Sequence, residues 1–281
     1  MATIISFVSV LEMVLSCEFT EKINDCGGVL DLTGLALNAN ANTLADVLST
    51  KPVTHLVLAD CMLEQTAANR LLESLNGLVA LDLRGNDLRG KSVSILASVV
   101  RKCNLLHSLN LEWNSIGQCD QEFHELCNAV ASNRNLVRLD LRNNQLTNGH
   151  GLHLAQLLVT NSPLKVLDLR WNRIGSTAGR EIVEALKHNS TVEDLLLEGN
   201  GLSRELVESI KLICERNMRH HQTISKNKQE TSFLLQQLDE TKTFALGETI
   251  KLEGRLECGR REKVELESNL WTSKEVLVEL R

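Results

Sequence analysis

The chain has 281 residues, a formal net charge of −6, 43% apolar residues and no tyrosine. This length allows one or two domains, and an apolar fraction with only 3% aromatic residues suits a core built from leucine. The acidic excess lies within the first 216 residues, which excludes the basic footprint of a general nucleic-acid-binding protein. Eight cysteines are scattered singly, a pattern that favours reduced thiols in a cytosolic protein.

The first 27 residues form an N-terminal segment with an apolar run between Ile4 and Leu15. The run resembles a secretory signal, but Glu12 interrupts it and no Lys or Arg precedes Lys22. We therefore expect either a helix that docks on the domain that follows or a variable start to the chain.

Six later segments share one leucine frame that closes on asparagine or cysteine. The closing residues recur every 25 to 30 positions from Cys61 to Asn200, which is typical of the longer class of leucine-rich repeat, with one strand and one helix per unit. A single unit cannot bury its leucines, so neighbouring units must stack. The frames are LVLADCML (56–63), LDLRGNDL (81–88), LNLEWNSI (109–116), LDLRNNQL (139–146), LDLRWNRI (167–174) and LLLEGNGL (195–202).

A weaker frame, LDLTGLAL (30–37), has Leu35 in place of the asparagine and predicts a seventh, atypical repeat. Residues 28–216 are therefore predicted to form an α/β leucine-rich-repeat solenoid, a horseshoe of ribonuclease-inhibitor-like repeats. The closing asparagines are expected to hydrogen-bond backbone groups of the adjacent loop that would otherwise be buried unpaired.

One segment inside the third repeat matches a phosphate-binding loop. Gly85 to Ser92 fits GxxxxGK[ST] and lies between a predicted strand and a predicted helix. Against nucleotide binding, Asn86 and Leu88 already belong to the repeat frame. Nucleotide binding is kept as a remote alternative.

Residue types that bind metals occur close together at Cys103, His107, Cys119, His124 and Cys127. Their spacing fits no established zinc pattern, so buried or capping roles are expected instead. Because no nucleophile, base and orienting group converge, the chain is predicted to be no enzyme and to hold neither a cofactor nor a metal.

Charged positions on the concave strands are predicted to point outward in two rows. One row contains Asp31, Asp82, Asp140 and Asp168, and the second contains Arg84, Glu112, Arg142, Arg170 and Glu198. Trp113 and Trp171 each follow a residue of the second row at the strand ends, about 10 Å apart. The rows are either a solvated, self-neutralising ladder or a partner-binding surface, for which exposed Trp beside Arg is suited. The candidate binding residues are Arg84, Glu112, Trp113, Arg142, Arg170, Trp171 and Glu198.

Residues 217–281 carry a heptad pattern that predicts a weak coiled coil, with a possible homodimer. Gly247, Gly254 and Gly259 weaken it, and a single solvated helix is the alternative. The pattern is still in phase at Arg281, which suggests a truncated rod. The leucines of the predicted seam are Leu235, Leu238, Leu252, Leu256, Leu266, Leu270, Leu277 and Leu280.

Between Gly28 and Arg216, the residues that fill the frames resemble those of a family of centrosomal leucine-rich repeat proteins with a long C-terminal coiled coil. The most specific segments are SLNLEWNSIG (108–117), RLDLRNNQL (138–146) and LDLRWNRIG (167–175). The first 16 residues and the short rod differ from that family. The resemblance implies a non-enzymatic scaffold in the centrosome linker at the proximal ends of the centrioles. It also implies cytoplasmic and cytoskeletal localisation, centriole cohesion, a role at the ciliary base, and coiled-coil partners such as rootletin.

Other classes of repeat protein stay open. The main alternative is a generic cytosolic leucine-rich-repeat adaptor or inhibitor. A ribonuclease-inhibitor-like clamp would carry more cysteines and repeats, and an actin-end cap like tropomodulin would need actin-binding helices ahead of the solenoid. Neither nucleic acid nor membrane insertion is predicted.

Overall fold

The computed structural model describes residues 28–160 and 163–279, and side chains are placed up to residue 269. The chain divides into two compact units between His221 and Gln222. The predicted N-terminal segment, residues 1–27, lies outside the described residues.

Seven short parallel strands form one sheet in the first unit, and their order in the sheet is their order along the chain. A parallel sheet with neighbours always consecutive is what one strand per repeat produces. The strands are β1 (Val29–Asp31), β2 (His55–Val57), β3 (Ala80–Asp82), β4 (Ser108–Asn110), β5 (Arg138–Asp140), β6 (Val166–Asp168) and β7 (Asp194–Leu196).

A helix follows each strand, and each of the first six helices leads to the strand of the next repeat. Short 3₁₀ turns at Asn38–Asn40, Ile116–Gln118 and Asn148–His150 precede three of the helices. The helices are α1 (Ala41–Thr50), α2 (Gln65–Ser74), α3 (Lys91–Lys102), α4 (Asp120–Ser132), α5 (Gly151–Val159), α6 (Gly175–Lys187) and α7 (Arg204–Glu279).

The core lies between the sheet and the helices and is built from the frame leucines. In the fifth repeat Leu136, Leu139, Leu141 and Leu146 are all at most 1% exposed, as the frame predicts. Each is worth about 1.5 to 3 kcal/mol when buried. The middle leucine of every strand is in register with that of the next strand, so the leucines stack in columns through the repeats.

The closing asparagines form a buried ladder. Asn144 donates from Nδ2 to the carbonyls of Leu111 (2.8 Å) and Arg142 (2.9 Å), and its Oδ1 accepts the N–H of Ile116 (3.4 Å). Each amide thus pairs backbone groups of its own repeat and of the preceding repeat, as predicted. In the second repeat Cys61 is buried and donates its thiol to the carbonyl of Leu32 (3.1 Å).

A second asparagine ladder runs along the helix ends, and the frame analysis missed it. Asn133 donates to the carbonyl of Val100 (2.7 Å), and Asn189 donates to that of Leu158 (2.8 Å). Asn217, inside α7, donates to the carbonyl of Val192 (2.9 Å) and is buried. The sequence signal at Asn133 and Asn189 is a spacing of three residues before the buried Leu136 and Val192, whereas Asn217 has His220 at that spacing.

The first unit extends beyond the domain limit at residue 216 that the frames suggested. Arg216 donates to the carbonyl of Asn189, and His221 lies 3.2 Å from Glu193. The start of α7 therefore serves as the last helix of the solenoid.

The second unit, from Gln222 onward, is the remainder of α7. Its seam leucines up to residue 266 are exposed in the single chain, and the coiled coil stays a prediction. The side chains of Leu270 and Leu277, and all of Leu280, lie outside what the structure describes. Among the described residues, no helix combines the length and apolar character needed to cross a bilayer.

Candidate protein-binding surface

The face of the sheet opposite the helices carries a charged row. Its members are the second residues after the ends of strands β3 to β7. The carbonyls of this row accept the N–H groups of the preceding repeat, for example Trp113 N–H to Arg142 O at 3.0 Å, so the ladder continues past the strands. The row consists of Arg84, Glu112, Arg142, Arg170 and Glu198.

Arg142 holds the middle of the charged row together. Its Nη2 lies 2.8 Å from Glu112 Oε2 and 2.7 Å from Asp140 Oδ2, and its Nε lies 3.5 Å from Asp168 Oδ2. The hydrogen bond from Arg142 to Asp140 raises the pKa of the guanidinium. Burial raises the pKa of Glu112, and the charge of Arg142 opposes that shift. One guanidinium thus contacts carboxylates of three successive repeats.

The aspartate row pairs with the neighbouring arginines, as expected for a self-neutralising ladder, but two of its members are not solvated. Asp140 is only 7% exposed and Asp168 only 2%. The reason is that each arginine two residues later folds back over its carboxylate, with Arg170 Nη2 at 2.7 Å from Asp168 Oδ2. The first two members, Asp31 and Asp82, are more open, and Arg84 approaches Asp82 only to 3.8 Å.

At the position that follows the charged row, each of the seven repeats has one residue in the left-handed backbone region, including the first two repeats, which have no charged residue in the row. Glycine adopts this conformation freely, whereas other L-residues in the left-handed region pay roughly 1–2 kcal/mol. Trp113 (φ 54°) and Trp171 (φ 58°) occupy it despite their size, and they are 63% and 62% exposed. The seven positions are Gly34, Asp60, Gly85, Trp113, Asn143, Trp171 and Gly199.

The two tryptophans line a groove of about 310 Å³ on the loop edge of the solenoid, with Asn143 between them. Trp171 packs over Gly199 of the next repeat, where an added Cβ would lie 2.5 Å from its Cε3. A separate groove of about 430 Å³ on the sheet face contains Asp140 and Arg142. Of the predicted binding residues, Trp113 and Trp171 therefore line the groove on the loop edge, whereas Arg142 lines the groove on the sheet face.

The segment that resembles a phosphate-binding loop serves the repeat. Asn86 donates to the carbonyls of Leu58 (2.6 Å) and Leu83 (3.0 Å), and Leu88 is buried in the core. Ser92, whose hydroxyl would bind magnesium in a nucleotide site, is fully buried and donates to Asn69 at 2.7 Å. The contacts of this segment are those that the repeat frame predicts.

The predicted metal-ligand types do not converge. Across the described parts of the chain, no group of three or more potential ligands is arranged to hold a metal ion. Burial raises the pKa of the Cys127 thiol, and His124 lies beside His153, with their Nδ1 atoms 3.0 Å apart. This histidine pair across two repeats was missed, because helix positions 29 residues apart give no local signal.

Comparisons with known proteins agree with the repeat architecture. The family described as Leucine Rich repeat matches residues 132–149 and 160–183. Leucine-rich repeat-containing protein 45 of Gallus gallus is 41% identical over 99 residues, which cover 34% of this chain and 15% of that protein. The chain thus spans about a seventh of the length of this relative.

Two solved structures of low sequence identity are also similar. Leiomodin-1 actin-binding site 2 matches at 14% identity with a TM-score of 0.45, covering 70% of this chain and 97% of the other. The tropomodulin C-terminal domain of Caenorhabditis elegans matches at 11% identity with a TM-score of 0.45, covering 67% and 99%. The stacked repeats and their buried asparagine ladder give the chain the fold of a leucine-rich-repeat solenoid, and it is similar over part of its length to leucine-rich repeat-containing protein 45.

Proposed function

We propose that the chain is a non-enzymatic scaffold that binds a protein partner through the charged row and the adjoining tryptophan groove. The observation that carries this proposal is the placement of Trp113 and Trp171. Two exposed indoles occupy backbone positions where glycine would be less strained. A cost in stability at an exposed position is expected where the side chain serves recognition.

The surroundings of the tryptophans support a binding role. Trp and Arg are the residue types that dominate binding energy when a partner covers them. Arg142 and Arg170 are held in place by carboxylates at 2.7 to 2.8 Å, so they lose little freedom on binding. Trp171 is braced against Gly199. A partner would therefore meet a surface that is already ordered.

The proposed place of action is the centrosome. The support is the resemblance of the frame fillings to the centrosomal family, together with 41% identity over 99 residues to leucine-rich repeat-containing protein 45. In this proposal the chain contributes to the linker between centrioles, and its partners are coiled-coil linker proteins such as rootletin. A contribution at the ciliary base belongs to the same proposal.

The helix from Gln222 onward is proposed to pair with another helix, in a homodimer or with a coiled-coil partner. Leu235, Leu238, Leu252, Leu256 and Leu266 are exposed in the single chain. They fall on positions of a single register that alternates steps of four and three residues, as in a left-handed coiled coil, in which a partner helix buries such positions.

The test is to image the tagged chain in dividing cells stained for centrioles, beside a version that ends at His221. This cut keeps Asn217 and His221, which contact the last repeat. A focus between paired centrioles that requires residues 222–281 supports a linker scaffold targeted by its helix. Diffuse signal for both versions rejects the centrosomal role and leaves a generic repeat adaptor.

A further inference from the structure

We infer that the groove between Trp113 and Trp171 binds a proline-rich segment in the polyproline II conformation. The inference names the ligand class of the surface proposed above and rests on that proposal. It follows from the spacing of the two tryptophans along the backbone ladder, from the hydrogen-bonding groups of the groove and from its charge.

The spacing of the tryptophans is set by the repeat ladder. The N–H groups of Trp113, Asn143 and Trp171 each bond to the carbonyl of the next repeat, at 2.9 to 3.1 Å, so the three residues lie on consecutive rungs. Two rungs separate the tryptophans, which corresponds to ~9.6 Å at the usual strand spacing.

Polyproline II matches this spacing. It advances about 3.1 Å per residue with three residues per turn, so prolines three apart lie about 9.3 Å apart on one side. Same-side residues of an extended strand recur about every 6.6 Å. An α-helix completes a turn every 5.4 Å or so and uses its own carbonyls internally. The two indoles can therefore each contact one proline of a P-x-x-P segment.

The hydrogen-bonding groups of the groove also suit proline. Four side chains at the groove carry hydrogen-bond donors that have no acceptor among the described residues. They are the indoles of Trp113 and Trp171, the amide of Asn143 and the guanidinium of Arg173. These groups supply donors. Proline offers a carbonyl acceptor and no donor, and the carbonyls of polyproline II are not paired internally.

Charge gives the ligand a direction. Arg173 lies in the repeat of Trp171 at one end of the groove, and Asp87 lies in the repeat before that of Trp113. Asp87 already accepts a hydrogen bond from Ser115 and pairs with Arg89 at 3.3 Å. An acidic residue beyond the proline on Trp171 would pair with Arg173. The ligand class is thus a proline-rich segment with an acidic residue at one end.

The test is fluorescence anisotropy of labelled peptides against the full chain. The probes are blocked decaproline with a glutamate pair at either end, a glycine–serine peptide of the same length and charge, and an amphipathic alanine–leucine helix. Decaproline with the glutamates at one end is expected to bind most tightly, and Arg173→Ala is expected to remove its advantage over the opposite end.

The variants separate binding from folding. Trp113→Gly removes one indole and also suits the left-handed backbone, so it is expected to weaken decaproline binding at least tenfold without lowering the melting temperature. Leu152→Ala removes an equally exposed apolar side chain on α5 and is expected to leave binding unchanged.

Preferential binding of the helical probe, or decaproline binding that Trp113→Gly leaves unchanged, overturns the inference. Failure of decaproline to bind, while partner capture in cells still depends on Trp113, also overturns it and leaves the proposed function standing. If capture does not depend on the tryptophans either, both fail.

Discussion

The indole of Trp171 lies over the backbone of Gly199, so closely that a Cβ on this glycine would be 2.5 Å from Cε3 of the ring. The contact joins the sixth repeat to the seventh and fixes one side of the tryptophan groove. It is the reason why glycine is required at position 199 beyond its positive φ of 77°.

Gly199→Ala is therefore expected to destabilise the chain more than Gly201→Ala. Both glycines have a positive φ, so both alanine variants incur roughly 1–2 kcal/mol of backbone strain. Only Gly199 has Trp171 above it, whereas nothing lies within 4 Å of a Cβ at Gly201. Chemical denaturation of both variants measures the difference. Equal losses would contradict the contact, and adding Trp171→Gly should remove the excess loss.

Asn144→Ala is expected to cost about 1–3 kcal/mol of unfolding free energy, because it leaves buried backbone groups unpaired. Asn144 is fully buried, and its amide bonds Leu111, Arg142 and Ile116. Asn144→Cys is the matched control, since Cys61 fills this slot in the second repeat and donates its thiol to a carbonyl. The cysteine variant should lose less than the alanine variant in urea unfolding. A larger loss would contradict the role assigned to the amide.

Arg170→Ala is expected to destabilise the chain by about 1–2 kcal/mol, because it uncovers a buried carboxylate and leaves it short of hydrogen bonds. Asp168 then keeps only the backbone N–H of residue 170, at 3.2 Å, and Arg142, at 3.5 Å. Arg84→Ala is the control, because its carboxylate partner Asp82 is 3.8 Å away and both side chains are more exposed; such a pair contributes about 0–1 kcal/mol. Thermal unfolding of the two variants should rank Arg170→Ala below Arg84→Ala, and the reverse order would refute the covering role of Arg170.

Stability is expected to fall with pH below about 6.5 because of His150. Burial lowers the pKa of this ring, which packs edge-on against Phe123, although the carboxylate of Asp120 at 3.8 Å opposes the shift. Its Nδ1 accepts the N–H of Thr147 at 2.9 Å, and protonation would remove that acceptor.

The sign follows from proton binding. Below pH 6.5 the unfolded chain takes up a proton at position 150 that the folded chain resists, so folding stability is complete above this pH and decreases as the pH falls towards the lower folded value. Denaturation at pH 8 and pH 5.5 should show a loss of stability, at most about 1.4 kcal/mol per pH unit, that is absent in His150→Gln. The same loss in both proteins would assign it to groups other than His150.

The repeat architecture could be predicted because the same pattern of leucines and asparagines occurs several times in one sequence. Leu139 and Asn144 have counterparts in every neighbouring frame, and the periodicity of one repeat checks that of the next. Strand order, the buried leucines and the asparagine ladder follow from stacking alone.

Features that depend on side-chain geometry between repeats could not be predicted. The burial of Asp168 results from how Arg170 folds back, and a one-dimensional pattern treats both as outward residues. The left-handed backbone at Trp113 could have been inferred, since glycine and asparagine fill the same slot in other repeats. His124 and His153 lie close together because α4 packs against α5, and no spacing in the sequence indicates that contact.

The most direct test of the central claim is quantitative affinity purification of the full chain from dividing cells. The wild type is compared with the Trp113→Gly/Trp171→Gly double variant and with Leu152→Ala, and the melting temperature of each purified protein is measured alongside. The account predicts that the double variant loses specific partners while staying folded, and that Leu152→Ala keeps them. Retention of every partner by the folded double variant would contradict the assignment of the tryptophan groove as the binding surface.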